Sequence, residues 1–473
     1  MEPTRSDGQA ARGGFETGVV LGCPVETSSV RAFLRALDRP RLAWADGRET
    51  ILAGGEAATI TADSTETTVA ADGAGTTIAA DDATATIPGA RGRFTAVREG
   101  AATVFEALTQ VDRLPHAARP RLFGGFAFTD MHDSTPDGTW AGFPGAYFVL
   151  PAVQLSLTPD GPWLTATAVG PGASETARRR LEVWHDRLAA LPESLPAPPP
   201  GVHRLSYTPG RETWREQVNA ALERIHRGDL KKVVLAQSLT ATLEEPLSVT
   251  DVLARLAEPY PDCYRFLVEP PDGGAFFGAT PERLVTVHGD AVETEALAGS
   301  IGRGESDEED AQLAMQLRES EKNVHEHDLV VDAIRDQLEG LTTGIHAGER
   351  TVRRLATVQH LQTPIRATLA SNADVLSLVE ALHPTPAVGG LPPGKALQTI
   401  RETEAFDRGW YAAPVGWLDG DGDGTFAVAI RSGIATARTA TLFAGAGIVP
   451  DSDADSEWNE LQLKYRPILD ELA

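Results

Sequence analysis

Five lysines, at 231, 232, 322, 395 and 464, stand among 473 residues that include 37 arginines. Lys231 and Lys232 open the apolar run KKVVLAQ, which reads as a strand. Side chains alternate along a strand, so Lys232, Val234 and Ala236 share one face while Lys231, Val233 and Leu235 share the other. One of the two lysines therefore points inward or into a cleft, where desolvation lowers proton affinity and suits the amine to general-base work. In FGATPERL, Pro281 locks a turn and Glu282 follows it at the edge of apolar sequence. A partly buried carboxyl there holds its proton longer and can donate it. The alternative is a salt bridge with Arg283. In EALAGS, Gly299 at a strand end lets backbone approach whatever fills the site.

Acidic stripes supply a second kind of chemistry. Glu319, Asn323, Glu326 and Val330 recur at helical spacing with His325 and His327 beside Glu326, and Glu457, Glu460 and Lys464 share one face of a C-terminal helix. Each stripe alone reads as a solvated face. Carboxylates from two helices together, with no thiolate and few imidazoles near, suit magnesium, which takes oxygen ligands and leaves positions open for water and an anionic substrate. Arg431, Lys464 and the stretch Ala444 to Gly447 would complete a carboxylate pocket through charged and backbone donors.

The elements that position these residues alternate helix and strand without a regular βαβ repeat, an α+β arrangement. Trp214, Val218, Leu222 and Ile225 keep helical spacing, and Gly228 stands where a C-terminal cap belongs, just before the Lys231–Ser238 strand. Residues 308–339 read as one long acidic helix, 374–382 as a shorter one and 456–472 as the last. In the first part, 56–88 alternates β-branched with polar residues as solvated strands do, and LFGGFAF at 122–128 reads as a buried strand with a bulge. PESLPAPPPG, 192–201, holds five prolines in ten residues and marks an extended boundary near residue 200.

Two patterns imitate known sites. GGLPPGKA meets the glycine and lysine positions of a phosphate-binding loop, but Ala396 replaces the Ser or Thr, and Pro392 and Pro393 remove two N–H donors. Asp419, Asp421, Asp423 and Gly424 resemble half a calcium loop, yet its twelfth position is Ile430, so a hairpin turn is the better reading.

Composition bounds the rest. The formal net charge is −25 with 42% hydrophobic residues, a globular proportion. Such a field repels nucleic acid, and no basic stripe offsets it. Abundant carboxylate with scarce lysine is what a protein kept soluble at high salt carries. Two cysteines, Cys23 and Cys263, give no disulfide framework; the N-terminal residues lack the apolar core of a signal peptide, and no stretch approaches the roughly eighteen apolar residues of a membrane span. A cytoplasmic protein is expected.

The segments KVVLAQ, FGATPERL, ETEALAGSIGRG, KNVHEHDLVV, VQHLQTPI, LHPTPAVGG, PVGWLDGDGDGTFAVAIRS and LFAGAGIVPDSDADSEWNELQLK resemble the chorismate-utilising enzymes, in order, over roughly 205–470. The first 200 residues match loosely, through FGGFAF. The resemblance implies an α+β fold with two mixed sheets packed between helical layers. Residues 1–200 would be its divergent, strand-rich part and 201–473 its chorismate-binding catalytic region. It implies Mg2+ as cofactor, chorismate as the small-molecule partner, and a monomer. By motif, Lys232 is the base that activates water and Glu282 the acid that protonates the departing 4-hydroxyl. Glu326 and Glu460 fall on the metal carboxylates with Glu457 nearby, and Gly299, Ser300, His360, Ala387, Arg431, Gly445 and Lys464 fall on substrate positions. Within the family the likeness is greatest to the isochorismate-forming members, serving menaquinone or siderophore synthesis. Ammonia-using anthranilate relatives carry Gln where Lys232 stands, and aminodeoxychorismate-forming ones carry a nucleophilic lysine where Ala298 stands. Ala387, where lyase-competent relatives carry Thr, separates the chain from its runner-up, salicylate synthase.

Overall fold

The computed structural model describes residues 17–27, 29–63, 67–71, 91–110, 114–132, 135, 138–193 and 195–473. Among them stand ten α-helices and 22 strands, the α+β arrangement expected. The alternating stretch 56–88 supplies parts of strands Thr50–Ala62 and Thr67–Ala71, while 64–66 and 72–88 lie outside the described residues. Every described pairing of named strands is antiparallel except Gly18–Pro24 with Leu108–Gln110, so the mixed character of the sheet comes down to one pair.

The pairings form a continuous ribbon. From Val202–Thr208 it runs through Lys232–Leu243, Thr439–Ile448, Ser432–Thr436, Ala275–Thr280 and Tyr264–Glu269. Four strands from the first 200 residues follow: Arg41–Ala45, Thr50–Ala62, Ala146–Thr158 and Arg121–Phe126. Pro414–Asp419, Gly424–Val428, Arg283–His288, Ala291–Gly302 and Val358–Leu369 complete it. The proline-rich stretch 192–201 has neither helix nor strand in its described residues, as its blocked φ angles and missing donors require. Backbone hydrogen bonds nonetheless join the strands on either side of it.

Within LFGGFAF the strand Arg121–Phe126 is buried and has no bulge, since its pairings run in unbroken register, and Ala127 and Phe128 lie just past its end. Its glycines answer to close approach: a Cβ on Gly124 would stand 1.8 Å from the Tyr147 carbonyl oxygen, and one on Gly125 would stand 2.5 Å from that of Pro414.

Helices cover both ends of the ribbon. Arg211–His226, Pro393–Thr403 and Ala454–Leu469 pack on the Lys232 strand and its Thr439–Ile448 neighbour. Trp214, fully buried, donates its indole N–H to Ala454 O at 3.2 Å and ties two of these helices together. Gly228, at φ +80°, turns the chain from the first helix into the Lys232 strand. Helices Asp307–Glu319, Glu321–Leu338 and Val375–Leu382 pack on the far end.

The long acidic helix expected over 308–339 is two. Ser320, with ψ 110°, ends the first and caps the second, its hydroxyl accepting from Asn323 N at 3.3 Å. A serine side chain that satisfies a free N–H makes such a break affordable without proline or glycine. It leaves Glu319 exposed on the first helix and starts the second one turn before Glu326.

Candidate active site

The two ends of the ribbon face one cavity of about 170 Å³. Every site residue expected from the sequence lines it: Lys232, Glu282, Gly299, Ser300, Glu326, His360, Ala387, Arg431, Gly445, Glu457, Glu460 and Lys464. Lys231 is exposed and Lys232 only 1% so, which resolves the alternation of the KKVVLAQ strand. Lys232 Nζ donates to Glu326 Oε1 at 2.8 Å. Opposite Val234 on the neighbouring strand stands Gly447, where a Cβ would come within 3.0 Å of both Glu326 Oε1 and Lys232 Cε. The strand itself is braced from behind. Arg408 donates to Val234 O at 2.7 Å and to Glu404, whose Oε1 accepts from Ala236 N at 2.8 Å.

Glu282 lies in the turn between strands Ala275–Thr280 and Arg283–His288. Arg353 donates to Pro281 O at 2.9 Å, and Arg283 N donates to Glu295 Oε1 at 3.2 Å, so the turn is pinned on both flanks. Arg283 pairs with Glu293 at 2.6 Å and not with Glu282. Burial, and next the negative Glu295, push the Glu282 carboxyl up to about 8, against the opposing pull of Lys232 and Arg431. It is a protonated acid at neutral pH.

Gly299 sits at a register shift within the Ala291–Gly302 strand and not at its end, with φ +77°. The shift turns Ser300 toward His360, with Ser300 Oγ 3.0 Å from His360 Nδ1. Burial, then Arg431 and Lys464, hold that imidazole well below its ordinary range and keep it neutral. Its Nε2 is buried without a hydrogen-bond partner in the protein, and so is Nη2 of Arg431. Arg431 has φ +50°, a conformation costly for a side chain that large, and its carbonyl accepts from Ala279 N at 3.1 Å. A buried guanidinium with a free donor, held on a strained backbone, is arranged for an oxygen-bearing anion.

On the C-terminal helix, Lys464 Nζ contacts Glu460 Oε1 at 2.5 Å and Gly445 O at 2.7 Å. Burial would raise the Glu460 carboxyl, but Lys464, Arg431 and Lys322 together hold it below its ordinary range. Glu457, one turn earlier, is pushed up by burial and then by Glu460, with Lys322 Nζ 3.4 Å away. Glu326, Glu457 and Glu460 offer oxygen alone as donor. Their ligand atoms do not all gather within 4.8 Å; among the described residues only His116, His288 and Asp423 do so. A helical pair of repelling carboxylates with a third across the cavity fits a magnesium ion that completes its shell with substrate and water oxygens.

Several lining residues had no role in the sequence reading: Lys322, Tyr411 and Val388. Lys322 was findable, being one of five lysines and four residues before Glu326. Tyr411 was not, because its place depends on a stack in which Trp140 and Tyr411 each lie 5.3 Å from Phe443. His325 is exposed, and His327 is a core residue, bonded to Thr363 Oγ1 at 2.8 Å.

The match to the family model described as "Chorismate binding enzyme" covers residues 58–473, reaching well into the part whose motifs are weak. The chain belongs to the chorismate-binding enzyme family. Two relatives in that family are similar over most of their length. Isochorismate synthase MenF of Bacillus subtilis is 37% identical over 368 residues, 76% of each chain. The salicylate biosynthesis isochorismate synthase of Pseudomonas aeruginosa is 38% identical over 361 residues, 75% of this chain and 74% of the other. Among solved structures, MenF, the menaquinone-specific isochorismate synthase of Escherichia coli, superposes with TM-score 0.77 at 25% identity, covering 97% of this chain and 96% of that one. As a chorismate-binding enzyme, the protein has for its fold what the motifs implied. Among the described residues no helix is long and apolar enough to cross a membrane.

Proposed function

We propose that this chorismate-binding enzyme is an isochorismate synthase, converting chorismate to isochorismate by adding water at C2 as the C4 hydroxyl leaves. The observation that carries the reading is one cavity that brings the buried Lys232 amine, beside Glu326, together with Glu282, which is protonated at neutral pH. Lys232 Nζ, 2.8 Å from Glu326 Oε1, takes a proton from the attacking water after giving its own to solvent. As the C2–O bond forms, the ring double bonds shift and the C4–O bond breaks. Glu282 gives its proton to the leaving oxygen, so one water enters and one departs. Arg431, Lys464 and neutral His360 orient the two carboxylates of chorismate. Glu326, Glu457 and Glu460 would hold Mg2+, which supplies positive charge beside a substrate carboxylate.

Ala298 lines the cavity with no nucleophile to offer, which favours water over covalent amidating chemistry. The similar isochorismate synthases support the same reading. We further propose a monomeric, cytoplasmic enzyme of menaquinone biosynthesis whose acidic, lysine-poor surface is an adaptation to salt, and whose activity rises as salt screens that surface. Purified protein with chorismate and magnesium chloride, without ammonia, is expected to yield isochorismate on chromatography. Salicylate and pyruvate as the only products would replace this reading with salicylate synthase, and anthranilate formed on adding ammonia would replace it with an amidating activity.

A further inference from the structure

The Asp-Gly turn read above as a hairpin is one, joining Pro414–Asp419 to Gly424–Val428. Its position in the fold gives it neighbours the sequence did not foretell. His116, in a short 3-10 turn, and His288, at the end of strand Arg283–His288, meet over it with their rings perpendicular and centroids 5.3 Å apart. His288 Nδ1 is 2.6 Å from Asp423 Oδ2, and His116 Nε2 is 3.4 Å from that oxygen and 3.7 Å from Asp419 Oδ2. The Asp419 side chain is 3% exposed. Its Oδ1 accepts from the N–H groups of Asp421 and Asp423, while its Oδ2 has no hydrogen-bond partner, and neither has His116 Nε2. Among the described residues, neither aspartate has a lysine or arginine as ion-pair partner.

We propose that His116, His288, Asp419 and Asp423 form a second metal centre, distinct from the carboxylates of the active site, that takes one divalent transition ion of the zinc class. Ligand atoms on a tetrahedral zinc ion, with bonds of about 2.0–2.1 Å, stand roughly 3.3 Å apart. The two distances from His116 Nε2, 3.4 and 3.7 Å, lie just above that spacing, and a small inward shift of Asp419 with a modest separation of His288 from Asp423 completes it. Two imidazole nitrogens with two carboxylates favour zinc over magnesium. Arg121 Nη2 lies 3.2 Å from His116 Nδ1 and, as a donor only, sets the ring proton on Nε2. When the ion binds, that proton moves to Nδ1, so Arg121 Nη2 gives up its contact there and turns to its other acceptors, Glu49 Oε2 at 3.4 Å and His116 O at 3.5 Å, while the guanidinium stays on the face of Trp417. The His288 proton moves from Nδ1 to the solvent-facing Nε2. The ion would then staple three segments far apart in the chain.

The test uses the full chain, stripped with chelator and titrated with zinc chloride by calorimetry in excess magnesium chloride. One zinc per chain at micromolar or tighter affinity is expected, and cobalt chloride should give the visible bands of a tetrahedral nitrogen and oxygen site. His288→Ala and Asp419→Asn should each weaken zinc binding at least ten-fold. The His288 side chain is 75% exposed, so its variant keeps the fold and its chorismate turnover in magnesium. No saturable zinc binding, or unchanged affinity in either variant, overturns the proposal.

Discussion

Two buried clusters of acids in this molecule are balanced in opposite ways. In the active-site cavity four carboxylates, of Glu282, Glu326, Glu457 and Glu460, face four fixed cations, of Lys232, Lys322, Lys464 and Arg431. With Glu282 protonated, the sum of formal charges there is positive. At the Asp-Gly turn two aspartates face two imidazoles, and burial, then the charge of Asp423, push the Asp419 carboxyl up. Fixed cations in excess make a place for an anion, and carboxylates beside imidazole nitrogens make a place for a cation. The same contrast explains the lysine distribution. Three of five lysines are in the cavity, while much of the ion pairing elsewhere falls to arginine.

The largest effect separates charge from basicity in the cavity. Lys232→Arg keeps a cation beside Glu326 but removes a group able to give up its proton. If Lys232 is the base, kcat falls about 10²–10⁴-fold in both Lys232→Arg and Lys232→Ala. An active Lys232→Arg enzyme would reduce Lys232 to one more balancing charge and break the mechanistic half of the comparison.

Glu282 tests the acid. Its carboxyl is raised to about 8 in the folded protein, so it is protonated below that pH, and kcat/KM is expected to fall as pH rises through about 8. Glu282→Gln should lose about 10²–10⁴-fold in rate together with that limb of the profile. The fold carries the same signature. A carboxyl raised on folding contributes stability present below its unfolded value, near the ordinary 4.5, and lost as pH rises toward 8. The thermal midpoint of Glu282→Gln should therefore decline less than that of the parent between pH 5 and 9.

How much of this was legible beforehand follows from where the information lies. Lys232, Glu282 and the helical glutamates declare themselves locally, through a rare residue type on an alternating strand, a proline-locked turn or an i, i+3 repeat. The break at Ser320 did not, because serine ends a helix only where its hydroxyl happens to cap the next one. Tyr411 is set by an aromatic stack with Trp140, 271 residues earlier. His116 and His288 carry no local pattern at all, and only strand pairing brings them to Asp423. Local chemistry was readable, and chemistry assembled by register was not.

Among the cavity's neutral groups, His360 is held uncharged by burial and by Arg431 and Lys464, with Nε2 free to meet the substrate. One hydrogen bond to a charged ligand is worth about 1.5 kcal/mol at the lower end, roughly ten-fold in binding. His360→Ala should raise the chorismate KM by about that factor with a smaller change in kcat. A large kcat loss instead would give the imidazole a part in proton transfer.

The smallest effect lies at the cavity rim and probes how far the charge balance depends on water. The Lys322 side chain is 36% exposed and 3.4 Å from Glu457, so solvent screens the pair and its contribution is about 0.2–1 kcal/mol. Lys322→Met is expected to raise the chorismate KM about two- to five-fold in dilute buffer. Added potassium chloride should close the gap between variant and parent, since ions replace the missing cation there. The same salt should leave Lys232→Arg as impaired as before, because the parent lysine is 1% exposed and its loss is one of basicity. A Lys322→Met defect that salt does not relieve would mean that this lysine touches the substrate and belongs with the buried cations, and the cavity would then be closed to screening along its whole depth.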